Sequence, residues 1–513
     1  MLLCPGDHRV SSAKLKMALG VKTRMARPEE TLHATGFEPG GVCPFGIDGG
    51  IQILRAGGCL ACYFAFRDGP APCVAAWGAS APPPKEKPTM SRTSIESQVK
   101  KAVWSQPVSD LHTHTYPPAF GASPKPDGLL LWGVDELVTY HYLIAEVFRA
   151  APATVFPYEK YWAMSRTEQA DHIWKHLFVE RTPISEACRG VLTALERLGL
   201  DPNEKSLAKY RKWFAKQNPD KYIDKVMQIA NVDLITMTNP VFDDQERGIW
   251  ERVPKAGADP RFAAVLRIDP LLRNWPVACA KLTAWGYEAR PDFSGKTIDE
   301  VKRFLVYWLD KMKAVYVAMS LPPEFRYPDP TNPAGDRFIR ECLMPVLAER
   351  GKPWAMMIGA RLRVNPGLRE GGDAMGTADV MSVVNLCHDF PQNKFMVTML
   401  ARENQHELAT AGRKFGNLLP FGCWWFLNNP SLVEEITRMR LELLGTMFVP
   451  QHSDARVLDQ LIYKWEHSRR TIAKVLTDKY VDLEASGYRV AAKQIRADVA
   501  LLLRDNYREF IAR

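Results

Sequence analysis

Residues 431–454 read SLVEEITRMRLELLGTMFVPQHSD, one complete passage from a helix into a strand. Ser431 and Glu434 have the spacing of a capping box. Leu432, Val433, Ile436, Met439, Leu443 and Leu444 recur at helical intervals, and Gly445 ends the run as a C′ residue does. Thr446–Val449 then reads as a short buried strand, which delivers Asp454 just past its carboxyl end. The same alternation runs through the organised part of the chain. Strands are predicted at Val108–His112, Val232–Thr236, Ala263–Ile268, Ala314–Met319, Trp354–Ile358, Lys394–Leu400, Leu418–Phe421 and Thr446–Val449, mostly separated by helical stretches. Eight βα repeats predict an α/β fold, a (β/α)8 TIM-like barrel. The excess length over a bare barrel falls after the first strand, where about residues 135–226 read as a helical insertion.

Upstream the texture changes. Residues 1–95 show no amphipathic period, and Gly and Pro recur, as in Pro39-Gly40-Gly41 and Ala81-Pro82-Pro83-Pro84. This segment is expected to be a low-order extension outside the working fold, with Met90 as the native start and residues 96–513 as the barrel. Its Cys59-Leu60-Ala61-Cys62 is a C-x-x-C without a second half-site, so a zinc or redox role is not expected.

Bulk properties narrow the function. Lys and Arg total 67 against 58 Asp and Glu, and the basic residues are scattered, so no nucleic-acid tail is read. The longest apolar runs, such as Gly128–Gly133, fall well short of the ~20 residues that span a bilayer, so no membrane partner is expected. Cys188, Cys279, Cys342, Cys387 and Cys423 stand singly, mostly among apolar neighbours, and read as reduced core residues of a cytoplasmic protein.

The chemistry concentrates in Asp110-Leu111-His112-Thr113-His114. Strand side chains alternate, so an H-x-H at a strand end turns both imidazoles to one face, where they can hold a divalent metal. Asp454, after the last strand, can bring a carboxylate to the same barrel mouth. H-x-H on the first strand with Asp on the last is the layout of the amidohydrolase superfamily.

Six stretches carry a closer resemblance: Asp110–Pro118 (DLHTHTYPP), His141-Tyr142, Ile358-Gly359-Ala360, Arg402-Glu403-Asn404, Phe421–Asn428 (FGCWWFLN) and Ser453-Asp454-Ala455-Arg456. Together they resemble the uronate isomerases, a branch of that superfamily. The resemblance implies an aldose–ketose isomerase that moves a proton between C1 and C2 of an open-chain hexuronate through an enediol. It implies Asp454 as the base, with Tyr142 and Arg456 as further catalytic residues. His112, His114 and Asp454 would hold one Zn2+, not necessarily essential. His141, Arg361 and Arg363 are the implied substrate contacts. Trp424 and Trp425 read as barrel core, and Trp424 is kept among the candidate substrate contacts. The expected partners are a small hexuronate and further copies of the chain. A plain packing role competes for Tyr142, because Leu137, Val138, His141 and Ile144 share one helical stripe.

Three features depart from the family pattern. Met357 stands where the family has an imidazole before Ile-Gly-Ala, and a thioether is a poor ligand for such a metal. No histidine lies between His176 and His388. The predicted fourth strand lacks the polar pair that the family would lead one to expect. Two other readings therefore stand beside the isomerase: a hydrolase of a lactone or amide, and a silent barrel that binds a sugar acid.

Overall fold

The computed structural model describes residues 90–513 apart from 124–126 and 254–256, together with two short strands nearer the amino terminus. The chain divides into two units, Met1–Lys87 and Pro88–Arg513. In the first, β1 (Gln52–Arg55) pairs antiparallel with β2 (Cys62–Ala65). The expected low order and Cys59 of the C-x-x-C lie outside the described residues.

The second unit starts with a helix, Arg92–Ser105, whose N-cap Ser91 accepts from the Ser94 amide. The chain then enters β3 (Val108–Asp110), which lies parallel to β4 (Val232–Thr236). Between them, helices run from Val134 to Ala230. Position two of the barrel continues from β4 through Met237 and Thr238 into β5 (Asn239–Pro240). Position three is β6 (Phe262–Ala263) with β7 (Leu266–Arg267). Positions four and five are β8 (Val317–Leu321) and β9 (Trp354–Ile358). A small antiparallel pair follows, β10 (Ala360–Arg361) with β11 (Ala374–Met375). Positions six and seven are β12 (Phe395–Met399) and β13 (Leu418–Pro420). Every pairing from β3 to β13, apart from β10 with β11, is parallel.

The eighth position is a backbone segment around Val449–Ala455 rather than the strand predicted at Thr446–Val449. Only Val449 makes a bridge there, parallel to Phe421. Pro450 removes a ladder donor directly after it. The segment still links both neighbours. Gly422 N donates to Val449 O (2.8 Å), Asp454 N to His112 O (3.1 Å) and His114 N to Ala455 O (2.7 Å). Hydrogen bonds therefore run round all eight positions.

Period-two alternation sorts the side chains. Ala318, Ala355, Met357, Met396 and Leu419 form the barrel interior, while Val317, Trp354, Met356, Phe395 and Val397 pack outward under the helices. Tyr507 and Phe510, on the helix Asn506–Ala512, join the interior cluster. Tyr507 shares a hydrogen bond of 2.9 Å with Thr236, and Tyr316 donates to Leu111 O at 2.6 Å.

The helix of the opening stretch spans Pro430–Leu444, and its cap differs from the prediction. Asn429 is the N-cap, accepting from the Leu432 amide, with Pro430 in the first turn. Asn caps as well as Ser, and Pro at the first helical position is already preset for the turn. Ser431 instead donates to Asn429 Oδ1 (2.9 Å), and Glu434 pairs with Lys474 (2.7 Å). Gly445 does end the helix, at φ 62°. All five cysteines from Cys188 onward are free and buried. Among the described residues no helix is long and apolar enough to cross a membrane.

Candidate active site

The seam between the first and eighth positions assembles the site. The two backbone bonds from Asp454 to His112 and from His114 to Ala455 lock Asp454 between the imidazoles. Asp454 Oδ1 lies 3.4 Å from Nε2 of both His112 and His114. The two rings stand edge to face, 5.2 Å between centroids. One ligand atom from each of the three residues lies within 4.8 Å of the others. Asp454 adopts φ 50°, the left-handed region, which Asp tolerates better than most residues. Such strain costs of order 1–3 kcal/mol and persists only where the surroundings impose it.

Electrostatics suit a cation at this point. Burial would push the Asp454 carboxyl up, but the imidazoles of His112 and His114 beside it hold it well below the usual carboxylate range. Burial brings His114 down to about 4, against the pull of Asp454, so its imidazole is neutral at pH 7. His112 Nε2 and Asp454 Oδ1 are buried without a hydrogen-bond partner. Orphaned buried polar atoms are costly. Two imidazole nitrogens and a carboxylate oxygen converging on one point fit a divalent metal.

Beside this triad opens a cavity of ≈ 290 Å³. Of the sequence-predicted residues, His114, His141, Arg363, Trp424, Asp454 and Arg456 line it. His112 sits directly behind, 1% exposed. His141 has no partner on either ring nitrogen, and burial holds it well below its ordinary pKa. Arg456 pairs with Glu370 across the cavity wall. Trp424 belongs to the barrel-interior cluster, as read from the sequence, and also lines the cavity.

Besides His112, two predicted residues do not line the cavity. Arg361 lies in the β10–β11 pair and turns outward to Glu324, at 3.0 Å. Tyr142 is buried, with its ring 4.6 Å from His141 and its hydroxyl unpartnered. Tyr140 takes the lining position instead. The helical stripe expected through Leu137–Ile144 is broken into Val134–Val138 and His141–Ala150, and Tyr140 is the N-cap of the second helix.

Sequence reading missed Arg267, Arg273, Ser320, Glu370 and Asp373, all in the lining. Arg267 was visible as a charge inside an apolar predicted strand, itself an unusual placement. Asp269 clamps it, accepting from Nε at 2.7 Å and Nη2 at 2.9 Å, and Nη2 also donates to Ser320 Oγ at 3.0 Å. Beneath the seam, Lys464 Nζ donates to Ser453 O at 2.6 Å from a buried position.

The fold and the site together define an amidohydrolase-type (β/α)8 barrel whose mouth sets a donor cluster that fits a divalent metal beside a cavity lined with arginines. The chain belongs to the uronate isomerase family. A solved uronate isomerase from Bacillus halodurans is 50% identical over 83% of this chain and 97% of that one, with a TM-score of 0.79. Solved structures of a uronate isomerase from Thermotoga maritima (15% identity, TM-score 0.65, 82% and 98% covered) and a glucuronate isomerase from Caulobacter crescentus (14%, 0.65, 84% and 95%) share the fold. The amino-terminal unit points elsewhere. Residues 1–55 match the family model of an aminoacyl-tRNA editing domain. Uncharacterized protein YwhH of Bacillus subtilis is 43% identical over 47 residues, 9% of this chain. The chain spans about 30% of the length of that relative.

Proposed function

We propose that the chain interconverts an aldose hexuronate and the corresponding ketose hexuronate by proton transfer between C1 and C2. The observation that carries this reading is the pairing of a buried, ionised carboxylate, Asp454, with a preorganised guanidinium, Arg267, in one cavity. The reaction needs a base for an acidic C–H and a cation for the uronate carboxylate. Asp454 Oδ takes the C2 proton and returns it to C1. Arg267, fixed by Asp269, holds the substrate carboxylate without having to reorganise. Arg456, tethered to Glu370, keeps positive charge beside the developing enediolate. His141, neutral and unpartnered, offers a ring nitrogen to a substrate hydroxyl, and Tyr142 acts through it by packing against its ring. Arg363 and Trp424 border the rest of the substrate.

The proposed metal is one Zn2+, held by His112, His114 and Asp454, since imidazole and carboxylate donors suit it. When bound it supplies positive charge that polarises a substrate oxygen. The buried, free cysteines suit a reducing compartment, so a cytoplasmic location is proposed, with a homo-oligomer as the assembly. The catalytic unit is proposed to be the barrel, with residues 1–95 outside it. The editing-domain match over residues 1–55 supports that division, because it belongs to another family.

The test is an NMR time course of the full chain with glucuronate and galacturonate in D2O. Ketose formation with deuterium at the reacting carbon is the expected result. A metal-loaded protein that yields neither product nor exchange would overturn the reading.

A further inference from the structure

We propose that Thr238 is a positioning residue for His112, selecting the tautomer that leaves the Nε2 lone pair free to face Asp454. The inference rests on reading His112, His114 and Asp454 as metal donors.

The argument is one of proton counting. Thr238 follows β4 on the carboxyl side of the barrel and is 1% exposed. Its Oγ1 lies 2.8 Å from Thr113 O and 3.3 Å from His112 Nδ1. A carbonyl oxygen can only accept, so the shorter contact takes the single hydroxyl proton. Oγ1 then has only lone pairs left for the imidazole, and Nδ1 must carry the ring proton. In a neutral imidazole that leaves Nε2 bare, and Nε2 is the atom that stands 3.4 Å from Asp454 Oδ1 without a hydrogen bond of its own.

Thr238 is itself held in place. Tyr116 Oη lies 3.1 Å from Thr238 O and 2.9 Å from Glu246 Oε2. Thr113 N donates to Thr236 O at 2.9 Å. These contacts register the end of position two against the His112–Tyr116 segment. A hydroxyl so placed does for His112 what a carboxylate or carbonyl commonly does for a ligating histidine: it sets ring orientation and tautomer. Loss of such a partner typically weakens metal binding ~10–100-fold.

The experiment uses the full chain stripped of metal, titrated with Zn2+ against a chromophoric chelator and with Co2+ followed by its visible absorption. Wild type, Thr238→Val, Thr238→Ser and His112→Ala are compared, with circular dichroism and thermal unfolding on the same samples. Thr238→Val should bind ~10–100-fold more weakly with an altered Co2+ spectrum, and Thr238→Ser should stay close to wild type. Thr238→Ala serves as a second hydroxyl deletion should the valine variant not fold. Unchanged affinity in folded Val or Ala variants would overturn the proposal. Equal losses in the Ser and Val variants would also overturn it, by assigning the effect to packing. If wild type takes up no metal, or His112→Ala binds like wild type, the metal reading itself fails and the tautomer argument falls with it, a result visible before any Thr238 variant is measured.

Discussion

The seam between the first and eighth barrel positions differs sharply from the arc formed by positions four to six. The seam gathers Asp110, His112, His114, His452, Asp454 and Lys464, all but His114 buried. The arc presents Ala318, Ala355, Met357 and Met396 to the same interior. Both arise from period-two alternation, yet one side carries imidazoles, carboxylates and charge, while the other adds to its methyl groups and thioethers the hydroxyls of Ser320 and Thr398. Polarity on the arc is limited to hydroxyls around Met357, whose register partners are Ser320 and Thr398. The donor set therefore closes on three residues from one side, and among the described residues no other such cluster forms. A second metal would need ligands from the arc. This geometry argues for a single cation beside acid–base groups, as proton transfer requires, and against a binuclear hydrolase centre.

The seam should hold the largest single effect. Asp454→Asn keeps the shape and removes the charge that both imidazoles face. The turnover number should fall ~10²–10⁴-fold, as for lost general-base catalysis, with little change in melting temperature. A folded Asp454→Asn protein with wild-type turnover would take Asp454 out of the mechanism and leave the seam as structure alone.

Arg267 joins the two sides, since Asp269 and Ser320 hold it over the top of the interior. Arg267→Lys keeps the charge but cannot keep the bidentate clamp with Asp269. A hydrogen bond to a charged group contributes roughly 1.5–3 kcal/mol, so kcat/KM should fall about 10–100-fold, chiefly through KM. Steady-state kinetics on both hexuronates checks this. An unchanged KM would show that the uronate carboxylate lies elsewhere, with Arg273 the next cation in the lining.

What could be read beforehand follows the same division. Seven of the eight strands were legible because apolar runs of strand length end at turns, and H-x-H with a distant Asp was legible because spacing alone puts donors on one face. Arg267 was not, because its meaning comes from Asp269 and from Ser320 on another strand. Tyr140 was missed and Tyr142 read instead, because a helix broken at Thr139-Tyr140 leaves no mark in the hydrophobic stripe. Arg361 and Arg363 flank one residue, yet only the second reaches the cavity. That depends on the β10–β11 pair, too short to show a period. Asn429 won the cap over Ser431 because Pro430 fixes where the helix begins.

Glu246 extends the seam outward through Tyr116 and Thr238. Burial, with the charge of Asp243, raises its carboxyl from 4.5 to about 7, against hydrogen bonds from Asn239 and Tyr116. A raised folded-state value means that the folded protein binds the proton more tightly than the unfolded chain does. The stabilisation is full below about pH 4.5 and is lost as pH rises through about 7. At ~1.4 kcal/mol per unit the change is at most on the order of 3 kcal/mol. Glu246→Gln cannot ionise and retains an oxygen for Asn239. Thermal unfolding of metal-free protein should show wild type losing more stability than the variant between pH 5 and pH 8. Parallel pH profiles would mean that Glu246 does not titrate in this range.

Met357 tests the other half of the contrast, where the expected effect is smallest. Its side chain is 1% exposed and packs in the interior cluster with Ala355 and Met396. Its register partners are Ser320 on one side and Thr398 on the other, and it is not among the residues that line the cavity. If the arc contributes packing alone, Met357→Leu is a volume-conserving exchange. It should cost under ~1.5 kcal/mol of stability and leave metal content and turnover as they are. Met357→His restores the donor that the family pattern has at this place. The new imidazole would be buried among apolar groups, which costs roughly 1–3 kcal/mol where no hydrogen bond compensates. The melting temperature should therefore drop while metal stoichiometry stays at that of wild type. Metal analysis and unfolding on both variants decide the matter. A gain of bound metal in Met357→His, or a loss in Met357→Leu, would show that the arc lies within reach of the cation and that the boundary between the two sides is drawn in the wrong place.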